Sequence, residues 1–127
     1  MIQVTRQVIS PQKVVDSLKT DVSGSVVVHL AILRPSAEGQ KLVSIEYEMD
    51  KTAAEKELSQ IEGEIRARWE VQDISLRRRA GKLTLGETIL AAATAAPHRK
   101  EAFEACQYAV EQMRGMKSVK KREIYEQ

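Results

Sequence analysis

An α+β fold with a mixed, largely antiparallel sheet is what this sequence predicts, and two observations carry that expectation. Segments of strand-type alternation interleave with segments of helical periodicity in the order β, short α, β, β, α, β, β, α. Tight turns join neighbouring strands, which suits antiparallel pairing rather than a doubly wound parallel sheet. Two long helices and one short helix complete the expected inventory.

The elements follow in order. Ile2 to Ile9 mixes β-branched and polar residues in rough alternation, and Ser10-Pro11 then opens a short helix over Gln12 to Lys19, with proline where a helix tolerates it best. After Asp21-Val22-Ser23-Gly24, the almost continuous apolar run Ser25 to Arg34 reads as a central strand. Pro35 to Gly39 supplies turn residues. From Lys41 to Met49 the chain alternates, with Val43, Ile45, Tyr47 and Met49 forming the face expected to be buried. Asp50 suits the N-cap of a long helix in which Ala54, Leu58, Ile61, Ile65 and Trp69 recur at helical spacing. Alternation resumes over Val71 to Arg79, is broken at Ala80-Gly81 and continues through Leu83 and Leu85, before Gly86-Glu87 turns the chain into Thr88 to Ala95. Pro97-His98-Arg99 opens the last helix, whose expected core stripe is Phe103, Cys106, Val110 and Met113.

Composition narrows the functional classes. At 127 residues and 43% hydrophobic, the chain suits one domain, residues 1–127, with a real core. A net charge of +2 is too balanced for nonspecific binding to nucleic acid or membrane, so electrostatic function must come from local clustering. A single cysteine, Cys106, excludes an intrachain disulfide and a multi-thiolate metal site, and two histidines far apart do little to suggest zinc. Neither a metal nor a cofactor is expected. The N-terminus has no signal-peptide pattern and no stretch reaches the roughly 18 apolar residues of a membrane span, so a cytoplasmic location is expected. With one Trp, three Tyr and one Phe, mostly at expected core positions, the chain is poorly supplied with stacking residues for single-stranded nucleic acid.

Dinucleotide, nucleoside-triphosphate, zinc-peptidase and serine-hydrolase motifs are missing from the sequence. Cys106 falls on the core side of a helix and reads as a small hydrophobe. The chemically suggestive residues are cationic. His98 and Arg99 stand at a helix start, where free N–H groups and the helix dipole already favour an anion. Beyond that helix, Lys117, Lys120, Lys121 and Arg122 form a basic tail suited to closing over the same ligand. Arg34 ends an apolar strand at the rim of a sheet, where a guanidinium binds carboxylate or phosphate in a fork. Arg77, Arg78 and Arg79 read mainly as exposed sheet, with Arg78 facing away from its neighbours.

Taken in order and spacing, the residues resemble the MoaE family, the large, catalytic subunits of molybdopterin synthase. The resemblance runs through Ile45-Glu46-Tyr47-Glu48, Ala54-Glu55-Lys56-Glu57-Leu58, Arg68-Trp69, Gly81-Lys82-Leu83 and Gly86-Glu87. It is strongest at His98-Arg99 followed by Ala102-Phe103-Glu104-Ala105, with Lys120-Lys121-Arg122-Glu123 at the family's distance beyond. The resemblance implies a hammerhead-type α+β fold and a homodimer. It also implies a small ubiquitin-like, MoaD-like sulfur-carrier subunit on each protomer, making a heterotetramer. The carrier's Gly-Gly C-terminus, as a thiocarboxylate, would deliver two sulfurs in turn to cyclic pyranopterin monophosphate.

By the same resemblance Arg34, His98 and Arg99 match substrate-binding positions, and Lys121 matches the second of two functional lysines. The first falls on Arg114. Arginine holds a charge at any accessible pH and cannot serve as a neutral amine. Further departures are His29 and Ala31 in the family's F-x-G-x-V-R strand, Arg78 in place of histidine in H-R-x-G, and Ser118, Val119 and Lys120 before Lys121. The family's tryptophan-containing tail has no counterpart up to Gln127. A non-catalytic relative that keeps dimerisation and carrier or pterin binding is the alternative reading.

Overall fold

The structure, a computed structural model, describes residues 1–35 and 41–126; the expected turn after Pro35 lies outside them. Ten elements follow one another: β1 (Ile2–Thr5), α1 (Pro11–Asp16), β2 (Ser25–Ile32), β3 (Leu42–Met49), α2 (Lys51–Arg68), β4 (Asp73–Arg79), β5 (Gly81–Thr84), β6 (Thr88–Ala96), α3 (Arg99–Arg114) and β7 (Val119–Tyr125). The α+β class with mixed, mainly antiparallel pairing holds, since among the described residues only β1 and β4 run parallel. The strands divide into two sheets, a larger one ordered β1-β4-β6-β2 and a smaller one ordered β5-β3-β7.

That division has a local cause. The break expected at Ala80-Gly81 is present, with Gly81 at φ +91°, a left-handed conformation that L side chains resist. The chain turns, and β5 joins β3 instead of staying beside β6. Helix starts follow the sequence: Ser10 caps α1 through Lys13 N–H, and Asp50 caps α2 through Thr52 N–H at 3.2 Å. The N-terminal strand and α1 are both shorter than expected, ending at Thr5 and Asp16.

The main core lies between the larger sheet and helices α2 and α3. Ala54, Leu58, Ile61 and Ile65 of α2 are buried as their spacing requires. Trp69 ends that helix and meets Tyr108 with ring centroids 5.4 Å apart. On α3 the stripe is displaced from expectation: Ala102, Ala105, Cys106, Ala109 and Met113 are buried, whereas Phe103 is 60% exposed and Val110 only half-buried. The small residues on the α3 side of β6 explain the shift: Ala92 and Thr94 meet Cys106 and Ala102 of the helix, and two small-residue surfaces let helix and sheet approach closely and leave a phenylalanine no room between them. The opposite face of the larger sheet is covered by Val14 of α1 and by Ile9 and Leu18, which flank that helix.

Two further expectations change. β2 is the edge of the larger sheet, beside β6, and not a central strand; Val26 and Ile32 are 40% and 44% exposed. In β3, Ile45 and Tyr47 are buried as alternation predicts, but an irregularity in pairing with β7 between Leu42 and Ser44 turns Val43 outward. The C-terminal basic tail forms β7, antiparallel to β3 with Lys121 opposite Tyr47. No helix among the described residues is long and apolar enough to cross a membrane.

Candidate functional site

A cleft of about 630 Å³ opens where the two sheets meet the C-terminal end of α3. Each wall arises from a local feature. β2 delivers His29, Ala31 and Ile32 and, just past its end, Arg34; β3 supplies Tyr47; β4 supplies Arg78; β6 supplies Ile89 and Leu90. The last turn of α3 adds Met113 and Arg114, and β7 adds Val119 and Lys121. Its size suits a small organic ligand. Four cations line it, and among the described residues no carboxylate does. Such an arrangement attracts and orients an anion.

The structure therefore brings Arg34, Arg114 and Lys121 together and adds Arg78. Lys121 is largely exposed and pairs with Glu123 at 3.3 Å, two residues along the same face of β7. Its placement depends on the connection before it. Glu57 of α2 accepts hydrogen bonds from Lys117 N–H at 3.0 Å and Ser118 N–H at 2.7 Å, pinning the turn between α3 and β7. Burial works against the Glu57 charge, but the bonds from Ser118 and Lys117 outweigh it, and the carboxyl titrates below its ordinary value.

His98 and Arg99 do not join this group. They lie exposed at the N-terminal end of α3, whose 16 residues hold them about 24 Å from the end that carries Arg114. The expected closure of the basic tail over this helix start is likewise not formed, because β3 holds the tail beside the other end. Position, not capping, keeps His98 where it is: its side chain makes no cap bond, and the chain before it packs so tightly that a Cβ on Gly24 would lie 2.3 Å from the Pro97 carbonyl oxygen. Gly24 N–H also donates to the Ala96 carbonyl at 3.1 Å. Thus the start of β2 and the start of α3 are locked together.

The three consecutive arginines of β4 correct the expectation of exposed sheet, for all are at least nine-tenths buried. Alternation does separate them. Arg77 reaches Ser75, Gln3 and the Lys13 carbonyl, while Arg79 reaches Glu87 at 3.3 Å and the carbonyls of Arg6 and Lys82. Arg78, on the other face, lies over the Tyr47 ring at 4.9 Å and donates to the Met113 carbonyl at 3.2 Å. Burial lowers its pKa, with Tyr47 acting in the opposite direction. Three adjacent arginines in a strand carry no mark of burial in sequence, so Arg78 was legible only as a departure from the H-R-x-G pattern.

Cys106 is buried, its Sγ 3.5 Å from the Ala92 carbonyl oxygen, and burial pushes the thiol up to about 11. It is a packing residue of α3, as its place in the helix suggested.

Fold and cleft together define a class, an α+β subunit with a cationic cleft at a sheet–helix junction. The sequence profile of the MoaE protein family matches residues 4–116, and the chain belongs to that family. It is 30% identical over 124 residues to the molybdopterin synthase catalytic subunit of Bacillus subtilis (strain 168), covering 98% of this chain and 79% of that one. Among solved structures it is similar to molybdopterin synthase from Staphylococcus aureus, with 31% identity, a TM-score of 0.91 and coverage of 97% and 90%. A chain from the protein–protein complex of subunits 1 and 2 of the molybdopterin-converting factor of Helicobacter pylori 26695 shares the fold, with a TM-score of 0.79 at 11% identity over 98% of this chain and 88% of that one.

Proposed function

We propose that this chain is the catalytic subunit of a molybdopterin synthase of the cytoplasm. It would transfer sulfur from the thiocarboxylate of a small MoaD-like carrier to cyclic pyranopterin monophosphate. The observation that carries this reading is the convergence of Arg34, Arg114 and Lys121 on one cleft in a member of the MoaE family. The substrate bears a phosphate, and the spent carrier ends in a carboxylate. Guanidinium groups at Arg34 and Arg114 hold such oxyanions in forked geometry. Proton transfer falls to Lys121, whose amine, unlike the guanidinium groups beside it, is chemically able to act as an acid–base group.

His98 and Arg99 enter through a second copy. β2 is an uncovered edge with exposed Val26 and Ile32, and α3 exposes Phe103 beside it. An apolar edge strand invites pairing with another chain. Ser25, at one end of β2, pairs with Ala96 near His98, while Ile32, at the other end, lies on the cleft. If two β2 edges meet antiparallel about a two-fold axis, the Ser25 end of each lies beside the Ile32 end of the other. His98 of the partner subunit and Arg99 of the partner subunit then face the cleft that their own chain leaves open. Two carriers on this homodimer make the heterotetramer.

The test is direct. The purified chain, mixed with a thiocarboxylated carrier and the pterin precursor, is expected to yield the dithiolene product. No product under conditions where the Bacillus subtilis relative turns over would sink the proposal. A non-catalytic relative is favoured by one observation, Arg114 in place of lysine, and it predicts carrier or pterin binding without product.

A further inference from the structure

A buried guanidinium costs free energy unless its charge and its N–H groups are matched. Arg79 has Glu87 and two carbonyls, and Arg77 has two polar side chains and a carbonyl. Arg78 is only 5% exposed, yet among the described residues no carboxylate pairs with it and its Nε has no hydrogen-bond partner. Its protein partners are the Met113 carbonyl and the face of Tyr47, both neutral. It also lines the cleft. Arg77 also lacks an acidic partner, but of the three adjacent arginines the one that faces the cleft is the one left with a buried N–H that no group among the described residues accepts.

We propose that Arg78 is a further substrate-binding residue, taking an oxyanion of the ligand, a phosphate or a carboxylate, at the floor of the cleft. This inference rests on the cleft being the substrate site proposed above, and it extends that site to a position outside the residues matched by motif. Arginine suits the task where lysine would not. Stacked on Tyr47, its flat cation keeps its in-plane N–H edges available for an acceptor, and the stack fixes its direction. The incoming oxyanion supplies the charge that Arg78 lacks in the unliganded chain. With Arg34, Arg114 and Lys121 at the rim, the cleft then favours a ligand with two separated anionic groups, or a phosphate dianion, over a monoanion.

The Met113 carbonyl offers a purely structural account, because an arginine that caps the end of a helix stabilises it. The experiment separates the two. Full-length wild type and Arg78→Gln are titrated with inorganic phosphate and, separately, with a synthetic peptide ending in a Gly-Gly carboxylate. Affinity and the ligand-induced rise in melting temperature are both read. Loss of about tenfold or more in affinity for at least one probe is expected, that being the scale of one charge-assisted hydrogen bond, with a matching loss of the ligand-induced rise. A loss confined to phosphate places Arg78 on the phosphate; one confined to the peptide places it on the carrier tail; loss of both makes the floor a shared subsite. A lower melting temperature for the unliganded variant with both affinities unchanged overturns the proposal, as does a wild-type chain that binds neither probe. If Arg78→Gln does not fold, Arg78→Lys carries the same comparison, keeping the charge and losing the fork. Arg78-dependent phosphate binding in a chain that transfers no sulfur would reject the synthase reading and leave this inference standing.

Discussion

Position 114 shows how much chemistry one side chain can remove while leaving binding intact. Arg114 keeps a permanent charge on the cleft, but it cannot alternate between charged and neutral forms as an amine does. Arg114→Lys is therefore expected to raise turnover, by about tenfold or more if a proton step limits the rate, and to add a second ionisation to the pH–rate profile. Unchanged kcat and profile would assign the position to binding alone. Cys106 provides the opposite case. With its thiol pushed up to about 11, it carries almost no thiolate at neutral pH, so iodoacetamide at pH 7.5 is expected to modify it only after unfolding. Rapid labelling of the native chain, followed by mass spectrometry, would contradict its buried packing role.

Among the elements, the ends of α3 divide the work. Its N-terminal end carries His98-Arg99 beside the start of β2, and its C-terminal end feeds Arg114 into the cleft and leads through a pinned turn to Lys121. Glu57 holds that turn from α2. Glu57→Ala is expected to cost about 1–2 kcal/mol in chemical denaturation, less than two fully buried charged bonds because the carboxylate is partly exposed. It should also weaken cleft function through disorder at Lys121. The pH dependence has a definite sign. The folded pKa of Glu57 lies below the ordinary 4.5, so its contribution is complete above that value and fades as the pH falls through the lowered one. The stability gap between wild type and variant should accordingly narrow in acid, and a gap that widened as the pH fell below 4.5 would contradict this account.

For the whole molecule, the decisive feature is that one chain holds only three of the five motif-matched residues in its cleft. Arg34, Arg114 and Lys121 are present, and His98 with Arg99 is a helix length away. Mixing two inactive variants tests the two-fold arrangement. A chain carrying Arg34→Ala and Lys121→Ala, combined with one carrying His98→Ala and Arg99→Ala, forms hybrids in which one of two clefts is intact. With random exchange about half of the dimers are hybrids, so about a quarter of wild-type turnover should return. Complete absence of complementation in proven hybrids would confine each site to a single chain.

Local signals were legible in the sequence. The α2 stripe from Ala54 to Ile65, the Asp50 cap, the helix start at Ser10-Pro11, the Ile45–Tyr47 part of the β3 alternation and the separation of Arg78 from its neighbours depend on backbone periods and near-neighbour hydrogen bonds, and they appear in the structure as read. The basic clusters were also visible, as was their likeness to one family. Which clusters meet was not visible, because that depends on contacts between residues far apart in the chain. Tertiary structure alone placed β2 at an edge, turned Phe103 outward over an alanine-lined interface, buried Arg78 beneath Tyr47 and sent the basic tail along β3. An apolar run reads alike whether a neighbouring strand or a second chain covers it, and a run of arginines reads alike in water or in a cleft. Sequence by itself determined the elements and the cationic character of the site, while packing decided which cations share a ligand.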